Sequence, residues 1–365
     1  MVLDRLLRGI ERYRVEVMTD RSLRAEVEAG GELVLPARYR YFLKLGGQNR
    51  IAFVRETLEL LNVPLALLAG MRAAVLARRG GAAWIVSPLD GGFSQIAGSI
   101  AARLSGVPQV VLVFDLWEEN AYGPVARRLG RALERRILRR ARTVVVSSPE
   151  AAAHYRDKHG VACEVLPIPA NPPDGAARDA PVPGEVLVAG AVYWAQEDAV
   201  RRLVRAASNV PGTRSVVMGD EGNLRGRGIV ADRYESSLPG ADFRRRLTRA
   251  DVLFLGLSFD SPYPEVIRMA TPARLHDYMA SGRPLLVHAP AGSHVAEYAR
   301  SEDFAEVVDE PDTRVLEEAL RRVLEDPERA ADRSRRAQRL ALERHDATAV
   351  RKRFEALLQR LSRST

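Results

Sequence analysis

Lysine is almost missing from this chain: of its 55 basic residues only Lys44, Lys158 and Lys352 are lysines. Such a skew towards arginine is what a GC-rich genome writes. The formal net charge of +8 therefore partly reflects codon usage and does not by itself call for a nucleic-acid partner. Cysteine is limited to Cys163, which excludes an intramolecular disulfide and fits a reducing compartment. No stretch reaches the roughly 18 consecutive apolar residues of a membrane span. The most apolar region, Leu60 to Ala77, is interrupted by Asn62, Pro64 and Arg72. The opening MVLDRLLRGIERYRVEV lacks the apolar core of a secretory signal. A cytoplasmic protein is expected, with peripheral membrane contact left open. Paired cysteines and an HExxH pattern are also missing, and the spacing of the six histidines suggests no metal site.

What is present is ordinary for a folded body: 46% hydrophobic and 28% charged residues. A length of 365 residues favours two domains at roughly 100 to 200 residues each. Between Leu166 and Gly184 the segment LPIPANPPDGAARDAPVPG carries six prolines. So many restricted φ angles and missing N–H groups suit a connector. The expected division is 1–168, a linker over 169–183, a second domain over 184–345, and a terminal crossover segment over 346–365.

Both halves alternate short apolar runs with longer helical patterns. The first reads RVEVMTD, AAWIVSP, PQVVLVFD, TVVVSS and ACEVLPI; the second reads EVLVAGA, SVVMGD, GIVADRY, ADVLFLGL, PLLVHAP and AEVVD. Apolar strands separated by helices imply parallel sheets covered on both faces, hence two doubly wound α/β domains in tandem. Ligands of such sheets sit beyond the carboxyl ends of the strands, so two facing domains are expected to hold a site in the cleft between them.

The stretch 258–290, SFDSPYPEVIRMATPARLHDYMASGRPLLVHAP, is the most informative. Thr271 suits a helix N-cap, Pro272 the first helical position, and Gly282 with Pro284 the stop. A helix start offers unsatisfied N–H groups and partial positive charge, a ready anion site for a diphosphate. Arg274 in that turn can add a charge-assisted contact, and Asp277, three residues on, can accept from a ribose diol. From spacing alone, an ordinary ion pair between Arg274 and Asp277 on a solvated face explains the residues equally well.

Pro272-Ala273-Arg274-Leu275-His276-Asp277-Tyr278-Met279-Ala280-Ser281-Gly282-Arg283-Pro284 resembles the donor-site helix of glycosyltransferases with the GT-B fold, specifically the family 4 type. That helix reads roughly Pro-x-Lys-Leu-x-Glu-Tyr-x-Ala-x-Gly-x-Pro. The resemblance implies that Arg274 contacts the donor diphosphate and Asp277 the ribose. It extends to VLVAGAVYWAQEDAVRRLVRAA, where Gly190 and Ala191 would let backbone approach the phosphates, although a tight βα turn needs glycine anyway. It also covers the last N-domain helix and strand and the final two helices, whose last member crosses back to the first domain. A nucleotide-diphosphate sugar donor, a glycan or lipid-linked acceptor, retention of configuration and a role in surface-polysaccharide assembly are what it implies. An Asp-x-Asp motif is missing, so neither metal nor cofactor is expected. A GT-B epimerase and a non-catalytic nucleotide-sugar-binding protein are the alternatives.

Three positions depart from the family pattern. Met269 replaces the first acid of Glu-x7-Glu, leaving Glu265 as the nearest carboxylate, placed either towards the sugar or in a solvated loop. Phe114 replaces a histidine. The chain opens on a helix, with RVEVMTD resembling the second strand; the first strand and its glycine-rich loop are missing, and the Gly46-Gly47 pair does not follow such a strand. Either the true start lies upstream or part of the acceptor site is lost. In the segment Phe114 to Asn120, Asp115, Glu118 and Glu119 are the acceptor candidates; Asp115 is either the group that orients or deprotonates the acceptor hydroxyl, or a helix cap. Between Arg127 and Arg142 eight arginines face one acid, Glu134. That basic amphipathic helix is either simply solvated or a contact for an anionic bilayer.

Overall fold

The computed structural model describes residues 2–29, 34–45, 52–89, 91–120, 123–170, 180–238 and 240–363. The Gly46-Gly47 pair lies outside them, as do residues 171–179 of the proline-rich segment. The chain divides into two units. Leu7–Pro167 with Lys352–Thr365 form one, here the N-terminal unit; Met1–Leu6 with Ile168–Arg351 form the other, the C-terminal unit. The first six residues thus group with the second half of the chain.

In the N-terminal unit the strands are β1 (Glu16–Asp20), β2 (Arg38–Phe42), β3 (Ile85–Pro88), β4 (Gln109–Val113), β5 (Thr143–Val146) and β6 (Cys163–Val165). The last four form a parallel sheet in sequential order, with every residue of β4 and β5 buried. β1 and β2 pair with each other in parallel as a separate ribbon. Among the described residues no strand joins that ribbon to β3. The sequence reading passes over β2, because its RYRYF alternation carries arginine on one side and only half-buried tyrosines on the other.

The C-terminal unit contains β7 (Glu185–Val188), β8 (Arg214–Met218), β9 (Arg233–Glu235), β10 (Val252–Gly256), β11 (Leu285–His288) and β12 (Glu306–Val308). All are parallel, in the order β9-β8-β7-β10-β11-β12. The order reverses between β7 and β10, as in a dinucleotide-type fold, and the crevice at that reversal is where such sheets take ligands. Alternation along the strands covers both faces. Leu187, Leu253, Leu255 and Val287 pack with Leu275, Tyr278 and Met279 on one side. Val186, Val188, Phe254 and Leu286 pack with Leu203, Leu316 and Leu320 on the other.

The described ends of the proline-rich segment are tied to this unit. Ala170 forms a bridge with Asp346, and the Val182 N–H donates to the Arg249 carbonyl at 2.9 Å.

A close approach in the N-terminal unit depends on one glycine. Gly92 has φ +113, and a Cβ there would stand 2.2 Å from the ring of the fully buried Trp117. Gly106 also has positive φ (+78), but nothing lies within 4 Å of its would-be Cβ. Urea unfolding should therefore separate the two effects: Gly106→Ala costs about 1 kcal/mol for backbone strain alone, whereas Gly92→Ala costs about 3 kcal/mol because the indole must also move. Equal losses would show that Trp117 does not need this glycine.

Candidate functional site

The carboxyl ends of β7 and β10 bring together most of the expected donor residues. β7 runs into Ala189-Gly190-Ala191, and Gly190 adopts φ +89, a conformation that glycine reaches without strain. Above this turn lies the helix Ala273–Ser281. Its fully buried Tyr278 accepts from the Ala189 N–H and donates to the Ala189 carbonyl, both at 2.8 Å. Burial pushes the Tyr278 hydroxyl up to about 12, so it stays a neutral donor and acceptor. Arg274, one turn earlier, donates to the carbonyls of Ala189 at 3.3 Å and Ala191 at 2.7 Å. Its guanidinium lies beside Gly190, where a Cβ would sit 3.7 Å from it.

The helix starts one residue later than expected from Thr271. Pro272 is the N-cap, with ψ 126, and no side chain caps the first turn. Thr271 turns its hydroxyl back to the Met269 carbonyl at 3.4 Å. Proline at the cap brings no side-chain acceptor, so the N–H groups of the first turn are not taken by a capping side chain. Gly282 closes the helix with φ 71, as its position suggested. Leu275 is a core residue beneath the helix. Glu265 lies on the short preceding helix Pro264–Met269, paired with Arg268 at 2.6 Å on the exposed surface.

Asp277 is placed differently from a residue open to a ribose. Its side chain is fully buried, and it forms a 2.9 Å ion pair with Arg5, whose other guanidinium nitrogen donates to the Pro169 carbonyl at 3.0 Å. It does not pair with Arg274, so the simple solvated i,i+3 pair is not what forms. The neighbouring His276 is also buried, 4.1 Å from the ring of His345. Burial, with nearby His345, His294 and Arg5, keeps its pKa well below the usual histidine value.

Sequence reasoning missed the support beneath the β10 loop. Asp198 accepts from the Phe259 N–H at 2.9 Å and from Arg202 at 2.7 Å. Burial opposes its ionisation, but hydrogen bonds from Ser258, the Phe259 N–H and Arg202 prevail and hold the carboxyl below its usual range. His288, at the end of β11, lies 4.5 Å from Phe259, ring to ring. Asp198 and Arg202 are four apart on one helix, which is a legible pairing; their link to Phe259 spans 61 residues and leaves no local trace.

In the N-terminal unit the segment after β4 also sorts its carboxylates. Asp115 is exposed, yet surrounding protein desolvates it enough to raise its pKa, the direction a proton acceptor needs. Glu118 pairs with Arg131 at 2.9 Å and Lys158 at 3.0 Å, and Glu119 also pairs with Lys158. Lys158 and His159 both reach the buried Glu134 at 3.0 Å. Burial would raise Glu119, but hydrogen bonds from His154 and Lys158 prevail and bring it down to about 2. Glu118 and Glu119 thereby fasten the segment to its neighbouring helices, leaving Asp115 as the outward carboxylate. Among the described residues no group of three or more His, Cys, Asp or Glu is placed to hold a metal ion.

Comparison with known proteins bears on the family and the fold. Residues 6–171 match a family described as "Glycosyl transferase 4-like domain", and residues 196–359 one described as "Glycosyl transferase-like". No curated protein matches the sequence. Among solved structures, sucrose-phosphate synthase from Thermosynechococcus elongatus is 16% identical, with a TM-score of 0.65 over 90% of this chain and 84% of its own. HepE from Anabaena, in complex with UDP and glucose, is 14% identical, with a TM-score of 0.67 over 98% and 95%. A glycosyltransferase from Rickettsia africae is 10% identical, with a TM-score of 0.67 over 97% and 91%. At these identities the likeness is one of fold.

Two stability measurements test the buried groups. Asp277→Ala removes the carboxylate that pairs with the buried Arg5 guanidinium, and breaking such a buried pair costs about 3 to 5 kcal/mol; urea unfolding that finds under 1 kcal/mol would mean the pair is not formed in solution. His288 is held down to about 4 chiefly by burial, so the unfolded chain takes up its proton first as pH falls. Its contribution is complete above about pH 6.5 and is lost towards pH 4, up to about 3 kcal/mol. Between pH 6.5 and 5, above the usual carboxylate range, His288→Gln should show a flatter fall in stability than the unsubstituted protein. Equal slopes would remove His288 as the cause.

Proposed function

Because the chain belongs to the family 4 type of GT-B glycosyltransferases, we propose that it moves a sugar from a nucleoside diphosphate sugar to a glycan or lipid-linked glycan. In this reading the anomeric configuration is retained and the product feeds surface-polysaccharide assembly at the cytoplasmic side of the membrane. One observation carries the donor assignment. Arg274 is fixed beside Gly190 by the carbonyls of Ala189 and Ala191, at the reversal of strand order in the C-terminal sheet. A diphosphate there meets a guanidinium whose position is set before binding, the uncapped first turn of Ala273–Ser281, and a turn without a side chain in the way. HepE, solved with UDP and with UDP-glucose, makes UDP-sugars the first donors to test.

Departure of the nucleoside diphosphate leaves oxocarbenium character on the sugar and places growing negative charge on the leaving oxygen. Arg274 and the helix start oppose that charge without reorganising. The acceptor oxygen bonds to the anomeric carbon on the face that the diphosphate leaves, as retention requires, and Asp115 takes its proton; the raised pKa of Asp115 brings it towards the range where a carboxylate does this efficiently. Glu118 and Glu119 contribute by holding the acceptor segment in place. Asp277 anchors Arg5 through its Oδ2. No metal or cofactor enters this scheme.

Calorimetric titration of UDP, GDP, ADP and TDP is the direct test. One nucleotide binds, and Arg274→Ala weakens it tenfold or more, about 1.4 kcal/mol. Asp115→Asn keeps that affinity and lowers sugar transfer by about two orders of magnitude. Failure of the folded protein to bind any of the four nucleotides would overturn the donor site.

A further inference from the structure

The helix Ala52–Arg79 is built inside out. A surface helix of a soluble domain normally turns its large apolar residues inwards and its small or polar ones to water. Here Ala66, Ala69 and Ala74 are buried, and Gly70 fits so closely that a Cβ would meet the Ala97 carbonyl and the Ile100 side chain at 2.7 Å. The large residues are on the other side. Leu60, Leu61, Leu67, Leu68, Met71 and Val75 are each 40% to 57% exposed. Their spacing places them, with the exposed Pro64, on one arc that runs for roughly 22 Å along the axis. From Leu60 to Met71 that exposed arc contains no polar side chain. Exposed apolar surface in one contiguous strip marks a site of association.

We propose that this arc is a lipid-docking ridge and that its partner is an anionic bilayer. Charge selects the occupant. Past Met71 the ridge carries Arg72, Arg78 and Arg79, all exposed. The helix Pro124–Arg140 packs against the same helix and exposes Arg128, Arg135, Arg136 and Arg140. Among the described residues no hydrogen bond or ion pair holds these four. Basic residues beside an apolar strip suit phosphate headgroups over an acyl layer, where each is worth about 1 kcal/mol near the surface.

The mode is interfacial. Leu60–Arg79 has the length and composition of a membrane span, although Asn62, Pro64 and Arg72 interrupt it. Its small-residue face, however, is packed on the helix Phe93–Ser105. Asn62 exchanges hydrogen bonds with the Leu45 backbone at 2.8 and 3.2 Å, and Arg72 donates to the Tyr41 carbonyl at 2.9 Å. Crossing the bilayer would break all of these, whereas lying on it breaks none. The inference does not depend on the sugar-transfer reading, since it concerns a surface of the N-terminal unit alone.

Flotation of the full chain tests it, using phosphatidylcholine vesicles and vesicles in which roughly one lipid in three is phosphatidylglycerol. The protein floats with the anionic vesicles, and less so as salt is raised. Leu60→Ser with Leu68→Ser and Met71→Ser lowers the bound fraction at least tenfold on anionic vesicles. Arg135→Gln with Arg136→Gln and Arg140→Gln abolishes the preference for them. Thermal unfolding and light scattering accompany each variant, so that loss of fold is not mistaken for loss of docking. The proposal is overturned if the unsubstituted protein stays in the soluble fraction. It is also overturned if the leucine variant floats unchanged, or if the unsubstituted protein is a lipid-independent dimer that this variant turns into a monomer.

Discussion

The candidate site of the C-terminal unit depends on a single buried hydroxyl. Tyr278 accepts from the Ala189 N–H and donates to the Ala189 carbonyl, satisfying both backbone groups where β7 ends and no strand partner takes them. That exchange pins the helix Ala273–Ser281 to the turn at Gly190. Everything expected of the anion site follows from the pin: Arg274 is brought within reach of two carbonyls, and the uncapped helix start is held at the reversal of strand order. Because the tyrosine is wholly enclosed and its pKa is raised to about 12, the lock is insensitive to pH across the physiological range.

The two carboxylates that matter most have opposite surroundings. Asp277 is enclosed and its Oδ2 is paired with Arg5. Asp115 faces outwards and is raised rather than lowered. Their environments, rather than their identities, divide them into a structural anion and a candidate proton acceptor. Glu118 and Glu119 fall on the structural side as well, since Lys158 and its neighbours hold both in the ionised form.

The helix Ala52–Arg79 shows why composition was a poor guide to partners. Counting apolar residues hides which of them are covered. Between Leu60 and Met71 the exposed leucines lie on an outer arc and Ala66, Ala69 and Gly70 on an inner one, and the division by side-chain size emerges only when the packed face is known.

The sequence by itself determined the strand pattern, the parallel class, and the helix Ala273–Ser281 with its glycine stop, because each rests on interactions within a few residues or on a local period. Of the twelve strands among the described residues, eleven overlap the runs read from the sequence, β9 only at the end of its run; β2 does not, because arginine occupies alternate positions along it. The family motif also pointed to Arg274 and Gly190, and the fold sets them side by side. Tertiary structure alone decided that Asp277 belongs to Arg5, 272 residues away, that Lys158 engages Glu118 and Glu119, and that the arc of leucines points outwards. Partner choice between distant residues is set by how layers stack, and no local period records it.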